Sequence, residues 1–193
     1  MAINNDKPAP KIIIAFVGMP GAGKSEATKH LSKKGIPFIR FGLFTEERIK
    51  QAGLPITTEN EKIFREKIRK DNGINAFAVK AEPKIRELLQ KSDLVAIDGL
   101  YSWEEYTYLK NIFAFLKLVL IYSEPRIRYE RLAKRKIRPI ALKDSYDRDI
   151  REIEKLNKGG PIAIADFCIL NNEDNLSGLY EKIDKILERF KKL

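Results

Sequence analysis

A chain of 193 residues, 44% hydrophobic and 33% charged, suits one α/β domain with a sizeable core and at most a small inserted element. No apolar run approaches the ~20 residues that span a bilayer, which excludes a transmembrane helix. The net charge of +10 raises nucleic acid as a partner. However, Lys and Arg are spread along the chain and interleaved with Glu, as in Glu61-Lys62 and Glu181-Lys182, the pattern of solvated helix faces. There is no RNA-binding signature and no zinc-ligand spacing, and His30 is the one histidine, so nucleic acid is not expected as the main partner. Residues 1–10 are polar and hold two prolines without an apolar signal core, which predicts a disordered tail, not a targeting peptide. One cysteine, Cys168, rules out an internal disulfide; its apolar neighbours predict a buried, inert thiol and a reducing, cytoplasmic setting.

Past the tail, the apolar run Ile12-Ile13-Ile14-Ala15-Phe16-Val17 leads into Gly18-Met19-Pro20-Gly21-Ala22-Gly23-Lys24-Ser25, and a helix-like segment starts near Lys24. Strand, glycine-rich loop and helix together satisfy GxxxxGK(S/T) at every position. The glycines let the backbone fold round a phosphate with N–H groups inward, and the helix N-terminus adds a positive dipole end. Gly18 to Glu26 is therefore the expected nucleotide-binding segment. Lys24 reaches the terminal phosphates in this pattern, and the Ser25 hydroxyl completes a Mg²⁺ shell otherwise made of phosphate oxygens and water.

The first helix runs from Glu26 to Lys34 and stops at Gly35, and Ile36 to Phe41 is a short strand. A helix is expected over Phe44 to Ala52, and Thr58-Glu59-Asn60-Glu61 is a capping box opening another through Asp71. Asn75 to Lys91 is helical, with Pro83 expected to kink or divide it. Leu94-Val95-Ala96-Ile97 reads as a buried parallel strand ending in Asp98-Gly99. Ser102-Trp103-Glu104-Glu105 is a second capping box for a helix to Phe113, followed by a strand over Leu116 to Tyr122. Helices are predicted over Pro125 to Lys136 and Asp144 to Asn157, the latter closed by Gly159-Gly160-Pro161. Asp166 to Leu170 is the last strand, and Leu176, Leu179, Tyr180, Ile183, Ile186, Leu187 and Phe190 form one apolar stripe on a terminal helix.

Five short strands separated by helices require a parallel sheet covered on both faces, with ligands at the carboxyl ends of the strands. Asp98 stands at such an end, where a carboxylate holds Mg²⁺ through water or orients an acceptor. Arg128, Arg131, Arg135 and Arg138 form a basic helical stretch that becomes loop-like at Pro139, and Arg148, Asp149 and Arg151 follow. Phosphoryl transfer takes little covalent help from protein, so arginines carried over the phosphates by a lid are the expected catalysts; the alternative is a solvated basic face. Arg135 and Arg148 are the candidates for that role, and Arg131 and Asn171 are assigned with the loop to nucleotide binding.

The loop, the Asp98-Gly99 strand end, Arg148-Asp149-Arg151-Glu152 and Ala165 to Asn172 resemble the dephospho-coenzyme A kinase and nucleoside-monophosphate kinase branch of P-loop kinases. The likeness is nearest to an archaeal-type group of such NTPases, through the loop, Asn72 to Ala76, and Pro83 to Leu89, and it covers nearly the whole chain after Lys11. It implies a three-layer α/β/α P-loop NTPase fold with a five-stranded parallel sheet, a helical substrate-binding insert near 43–92 and a lid near 134–148. It also implies ATP with Mg²⁺ and a nucleotide-like acceptor. Two positions depart from the pattern. Relatives carry Asp in a Gly-Asp pair after the second strand, where Gly42 is followed here by Leu43. They also carry Arg after the third strand's Asp-Gly-x, where Tyr101 stands here. Both changes fall on the acceptor side. Arg40 and Arg48, with Glu46 or Glu47, are candidate substitutes there. Phe41, Phe44, Tyr101 and Trp103 either form a base pocket or belong to the core.

Three functions follow as expectations. The first is a small-molecule kinase using ATP and Mg²⁺ on a nucleotide-like acceptor, with Lys24, Asp98, Arg135 and Arg148 catalytic and Arg40, Phe41, Arg48 and Tyr101 at the acceptor. The second is an NTP hydrolase or nucleotide sensor without an acceptor. The third is a nucleic-acid-binding ATPase or polynucleotide kinase. No membrane partner is expected, and the oligomeric state is open.

Overall fold

The computed structural model describes residues 10–136 and 139–190, with Thr58 as backbone alone; residues 1–9 of the expected tail and Arg138 of the basic stretch lie outside them. In chain order the elements are β1 (Ile12–Val17), α1 (Lys24–Lys33), β2 (Phe38–Arg40), α2 (Gly42–Gln51), α3 (Thr58–Asn72), α4 (Ala76–Lys91) and β3 (Leu94–Asp98). Then come α5 (Trp103–Ile112), β4 (Leu116–Tyr122), α6 (Pro125–Ala133), α7 (Leu142–Leu156), α8 (Gly159–Ala163), β5 (Phe167–Leu170) and α9 (Leu176–Phe190).

All the pairings are parallel, in the order β2-β3-β1-β4-β5. β1 is apolar and buried at every position because it is the central strand with helices on both faces. Its alternation splits the core into two layers. Ile13, Ala15 and Val17 face Phe77, Ala81 and Ile85 of α4 and Leu109 of α5. Ile12, Ile14 and Phe16 face Ala27 and Leu31 of α1 and Leu179, Ile183 and Phe190 of α9. The parallel register sets Phe16 beside Asp98 and Val17 beside Leu120, so the strands end together at one edge.

Several local expectations change. β2 spans Phe38–Arg40 only, and Phe41 turns into α2 while its N–H still bonds the Asp98 carbonyl at 2.9 Å. The N-cap of α3 is Thr57, whose hydroxyl accepts the Asn60 N–H at 3.1 Å, one residue before the expected box. Pro83 does not divide α4; the ladder bond it removes is that of the Val79 carbonyl, on an exposed residue. Gly159-Gly160-Pro161 does not end a helix but lies within α8. The stop falls earlier, at Asn157, the one non-glycine residue with positive φ among the described residues (φ 49°). Gly160 has a packing reason: a Cβ there would lie 2.7 Å from Trp103 Cε3.

Cys168 is exposed, against expectation. On the edge strand β5, Ile169 turns into the α9 layer while Cys168 and the 52% exposed Leu170 turn to the other face. In α9, Leu176 at the first turn stays 42% exposed, Tyr180 is half-buried, and Leu179, Ile183, Ile186, Leu187 and Phe190 are buried. The capping box at Ser102 forms as expected. Glu105 is fully buried, its carboxylate accepting the Tyr101 and Ser102 N–H groups at 2.7 and 3.1 Å.

The second oxygen of Glu105 takes Arg69 Nη2 of α3 at 3.2 Å, so a buried ion pair docks a largely polar helix. Burial raises the Glu105 pKa and Arg69 opposes it. Arg69→Met strands that carboxylate and should cost about 3 kcal/mol in urea unfolding at pH 8. Without Arg69 the folded-state pKa moves further above its unfolded value. The penalty is then full above the folded pKa and absent below the unfolded one, so the deficit should shrink at pH 5. An equal deficit at both pH values would show that Glu105 does not depend on Arg69.

Candidate functional site

The buried end of β1 delivers the glycine-rich loop to the edge where the strands stop. Gly21 (φ +84°) and Gly23 (φ +111°) hold backbone conformations that L side chains rarely adopt. Neither position has room for a Cβ, which would lie 2.7 Å from the Arg128 carbonyl at Gly21 and 2.6 Å from Asn171 Nδ2 at Gly23. The loop is therefore packed closely from behind. Lys24 Nζ donates to the Gly18 and Met19 carbonyls at 2.7 and 3.0 Å. Ser25 Oγ donates to Asp98 Oδ2 at 3.1 Å, a contact between residues 73 positions apart created by the β1–β3 register.

These residues fit nucleotide phosphates with a divalent cation. A hydroxyl and a buried carboxylate converge beside the loop. Among the described residues no three His, Cys, Asp or Glu side chains gather into a metal cage. A cation there would rest on Ser25, Asp98 and the nucleotide's own oxygens, as Mg²⁺ does. Burial, and then the charge of Lys158, push the Lys24 ammonium down to about 7 against the pull of Glu152 and Asp98. Before phosphates arrive, Lys24 is thus poised near neutrality.

Arg131 and Asn171, expected at the nucleotide, have the following partners in this structure. Asn171 Nδ2 donates to the Ala22 carbonyl at 2.8 Å, and Arg131 donates to Ser123 Oγ at 2.9 Å and to the Asn171 and Glu173 carbonyls at 2.8 and 2.5 Å. Their partners are oxygens of the loop and of the segments that follow β4 and β5. Arg128, buried, does more: Nη1 donates to the Pro20 carbonyl, Nε to the Ser123 carbonyl, both at 3.1 Å, and Nη2 to Asp149 Oδ2 at 2.6 Å. Glu26 pairs with Lys29 at 2.7 Å on the first turn of α1, and Arg135 lies exposed beyond α6.

At the end of β2, Arg40 makes a two-pronged pair with Glu46, both bonds 2.8 Å. Arg48 donates to Gln51 at 3.3 Å and lines a cavity of about 280 Å³ with Phe64, Lys67, Ile68 and Lys80. Phe41 is 1% exposed and belongs to the core, not to a pocket wall, because the turn after β2 aims it beneath the sheet edge beside Ile39 and Leu100. Burial, then Asp98 and Glu152, push the Tyr101 hydroxyl up to about 12, so it stays a neutral phenol. Arg148 Nε donates to Glu152 Oε1 at 3.1 Å.

Glu152 also binds Lys158, whose ammonium lies 4.7 Å from the Tyr101 ring centroid. Burial works against the Glu152 carboxylate, yet Lys158 and Arg148 hold it down to about 2. Sequence reading gave no role to Lys158; it set Arg128 in the basic stretch and Asp149 in the segment around Arg148 without pairing them. The lysine's only signal is a cation beside Gly159-Gly160, a stretch that reads as a stop.

The chain matches the AAA domain family over residues 14–157. A UPF0200 protein from Thermococcus sibiricus is 36% identical over 182 residues, 92% of this chain and 95% of that protein. Another from Thermococcus gammatolerans is 35% identical over 188 residues, 92% and 98% of the two chains. Among solved structures, shikimate kinase from Bacteroides thetaiotaomicron superposes with a TM-score of 0.59 at 19% identity, over 94% of this chain and 99% of its own. Shikimate kinase from Acinetobacter baumannii in complex with shikimate gives 0.57 at 21%, over 94% of each chain. At these identities the likeness is one of fold, and the fold is that of the P-loop kinases: five parallel strands between helices. No helix among the described residues is long and apolar enough to cross a membrane.

Polyphosphate beside Lys24 should raise its pKa from about 7 toward the ordinary lysine range. At pH 8.5 the free side chain is mostly neutral and the bound one charged, so binding should take up nearly one proton; at pH 6 the uptake vanishes. Calorimetric titration of ATP with Mg²⁺ in two buffers of different ionisation heat measures this, and Lys24→Met should abolish it. Uptake that persists in the variant would assign the proton elsewhere.

Proposed function

The chain belongs to the UPF0200 family and carries an AAA domain, and from that premise we propose that it is an ATP- and Mg²⁺-dependent kinase of a nucleotide-like small molecule. The observation that carries this reading is the convergence of Ser25 Oγ and Asp98 Oδ2 at 3.1 Å beside a loop whose lysine is held by its own carbonyls. The acceptor class, a nucleoside monophosphate or a dephospho-coenzyme A-like compound, is supported by the sequence resemblance of the loop, the strand end and the segment around Arg148.

In this reading the amides of Gly18 to Ser25 and the N-terminus of α1 bind the donor phosphates, and Lys24 adds a charge at the terminal ones. Ser25 and Asp98 hold the cation, which when bound neutralises charge on the transferring phosphoryl group. Arg148, kept in place by Glu152, faces the charge that develops in transit, with Arg135 as a second lid candidate. Asp98, beside the loop and at the end of β3, also orients an approaching hydroxyl. Water exclusion falls to α7 lying over the strand ends, tied to the loop through Asp149 and Arg128.

One observation favours a second reading, NTP hydrolysis or nucleotide sensing. Leu43 and Tyr101 stand where relatives carry Asp and Arg, and Arg40 is already paired with Glu46. An acceptor screen separates the two.

Lys24→Ala should lower turnover by a hundredfold to a thousandfold or about that, and Asp98→Asn should raise the Mg²⁺ requirement about tenfold. Steady-state assays of ATP consumption against nucleosides, nucleoside monophosphates and dephospho-coenzyme A check both. Full activity in Lys24→Ala would sink the assignment, and consumption indifferent to every acceptor would select the second reading.

A further inference from the structure

Lys158 lies between α7 and α8, 2% exposed, in none of the roles given to the loop or the lid arginines. Its ammonium bonds Glu152 and caps the face of Tyr101, 4.7 Å from the ring centroid. Glu152 also serves Arg148, at 3.1 Å. Lys24 sits near enough to respond to Lys158, Glu152 and Arg148 alike. Asp98 acts on Lys24 and Asp149 on Lys158 from further off, but Lys158 has no carboxylate to itself: its one bonded partner, Glu152, is shared with Arg148.

The donor phosphates account for Lys24, whose bonds to Gly18 and Met19 fix it on the loop. They do not account for Lys158. That residue covers Tyr101, three residues past β3, and β3 separates β1 and its loop from β2. This is the side from which an acceptor approaches, and Tyr101, a neutral phenol, brings no charge of its own to it. Arg40 is held by Glu46 and Arg69 by Glu105, so neither supplies the missing cation without breaking its pair. The Lys158 ammonium is a compact charge with three donors on a flexible stem, suited to exchanging one anionic partner for another. Its present partner, Glu152, keeps Arg148 when Lys158 leaves.

We propose that Lys158 is a second anion-binding lysine of this site, whose ammonium exchanges Glu152 for an anionic group, phosphate or carboxylate, on the acceptor. The proposal rests on the kinase reading above and makes the acceptor an anion. Glu152 of α7 on one side and the Tyr101 ring past the end of β3 on the other enclose the lysine.

The test uses the full chain saturated with Mg²⁺ and a non-hydrolysable ATP analogue, so that the loop is filled. Inorganic orthophosphate and, separately, acetate are titrated as minimal probes by calorimetry. One of the two should bind the wild-type protein, which identifies the group. That binding should weaken at least about tenfold in Lys158→Met and recover to within about threefold in Lys158→Arg. A purely structural lysine would leave the probe affinity of the folded variant unchanged. Should Lys158→Met fail to fold, Lys158→Met with Glu152→Gln removes both charges and carries the same comparison. Absence of binding by either probe to the analogue-loaded wild type, or equal binding to the variants, overturns the proposal. Failure of the wild type to bind the analogue overturns the kinase reading beneath it.

Discussion

The guanidinium of Arg128 joins three parts of the molecule that share no other hydrogen bond described above: the Pro20 carbonyl of the loop, the Ser123 carbonyl at the end of β4, and Asp149 of α7. It is 4% exposed, so its charge must be matched inside the protein. Asp149 meets that demand with one oxygen, shared with the Tyr129 hydroxyl at 3.1 Å, and its other oxygen is buried without a partner. The loop keeps its inward amides because its outward carbonyls are occupied: Pro20 by Arg128, Ala22 by Asn171, Gly18 and Met19 by Lys24. A phosphate cradle made of backbone depends on what stands behind it, and here that is one buried arginine and one buried amide.

The donor and acceptor halves are built by different means. The donor half is a local motif completed by strand register, which brings Asp98 to Ser25. The acceptor half is a set of ion pairs: Arg40 with Glu46, Arg69 with Glu105, and Arg148 and Lys158 with Glu152. Arg40 and Arg69 each have a carboxylate of the chain to themselves, while Arg148 and Lys158 share one.

That difference decides what could be read before folding. The loop, the five strands and the strand-end Asp98 were legible because each depends on neighbours in sequence, through glycine conformations and apolar runs. The capping box at Ser102 was legible for the same reason. The cap at Thr57 was missed by one residue, since two adjacent threonines offer the same chemistry. Cys168 misled because an apolar run says nothing about which strand is at the edge. Phe41 was ambiguous until the turn after β2 placed it in the core. Lys158 and Arg128 were out of reach: their partners are settled by tertiary contact, and a lysine or arginine among many carries no local mark.

The left-handed turn at Asn157 shows how small a backbone feature can govern an electrostatic one. Had α7 simply continued, residues 152 and 158 would stand about 9 Å apart along the axis and about a third of a turn apart around it, beyond contact. Reversing the chain at one residue folds Lys158 back onto Glu152 and under Tyr101. Asparagine tolerates that conformation where a branched side chain does not. The charge balance around Glu152 and Tyr101 is therefore written partly in a residue that carries no charge, and a valine at 157 would redistribute it without altering a single ionisable group.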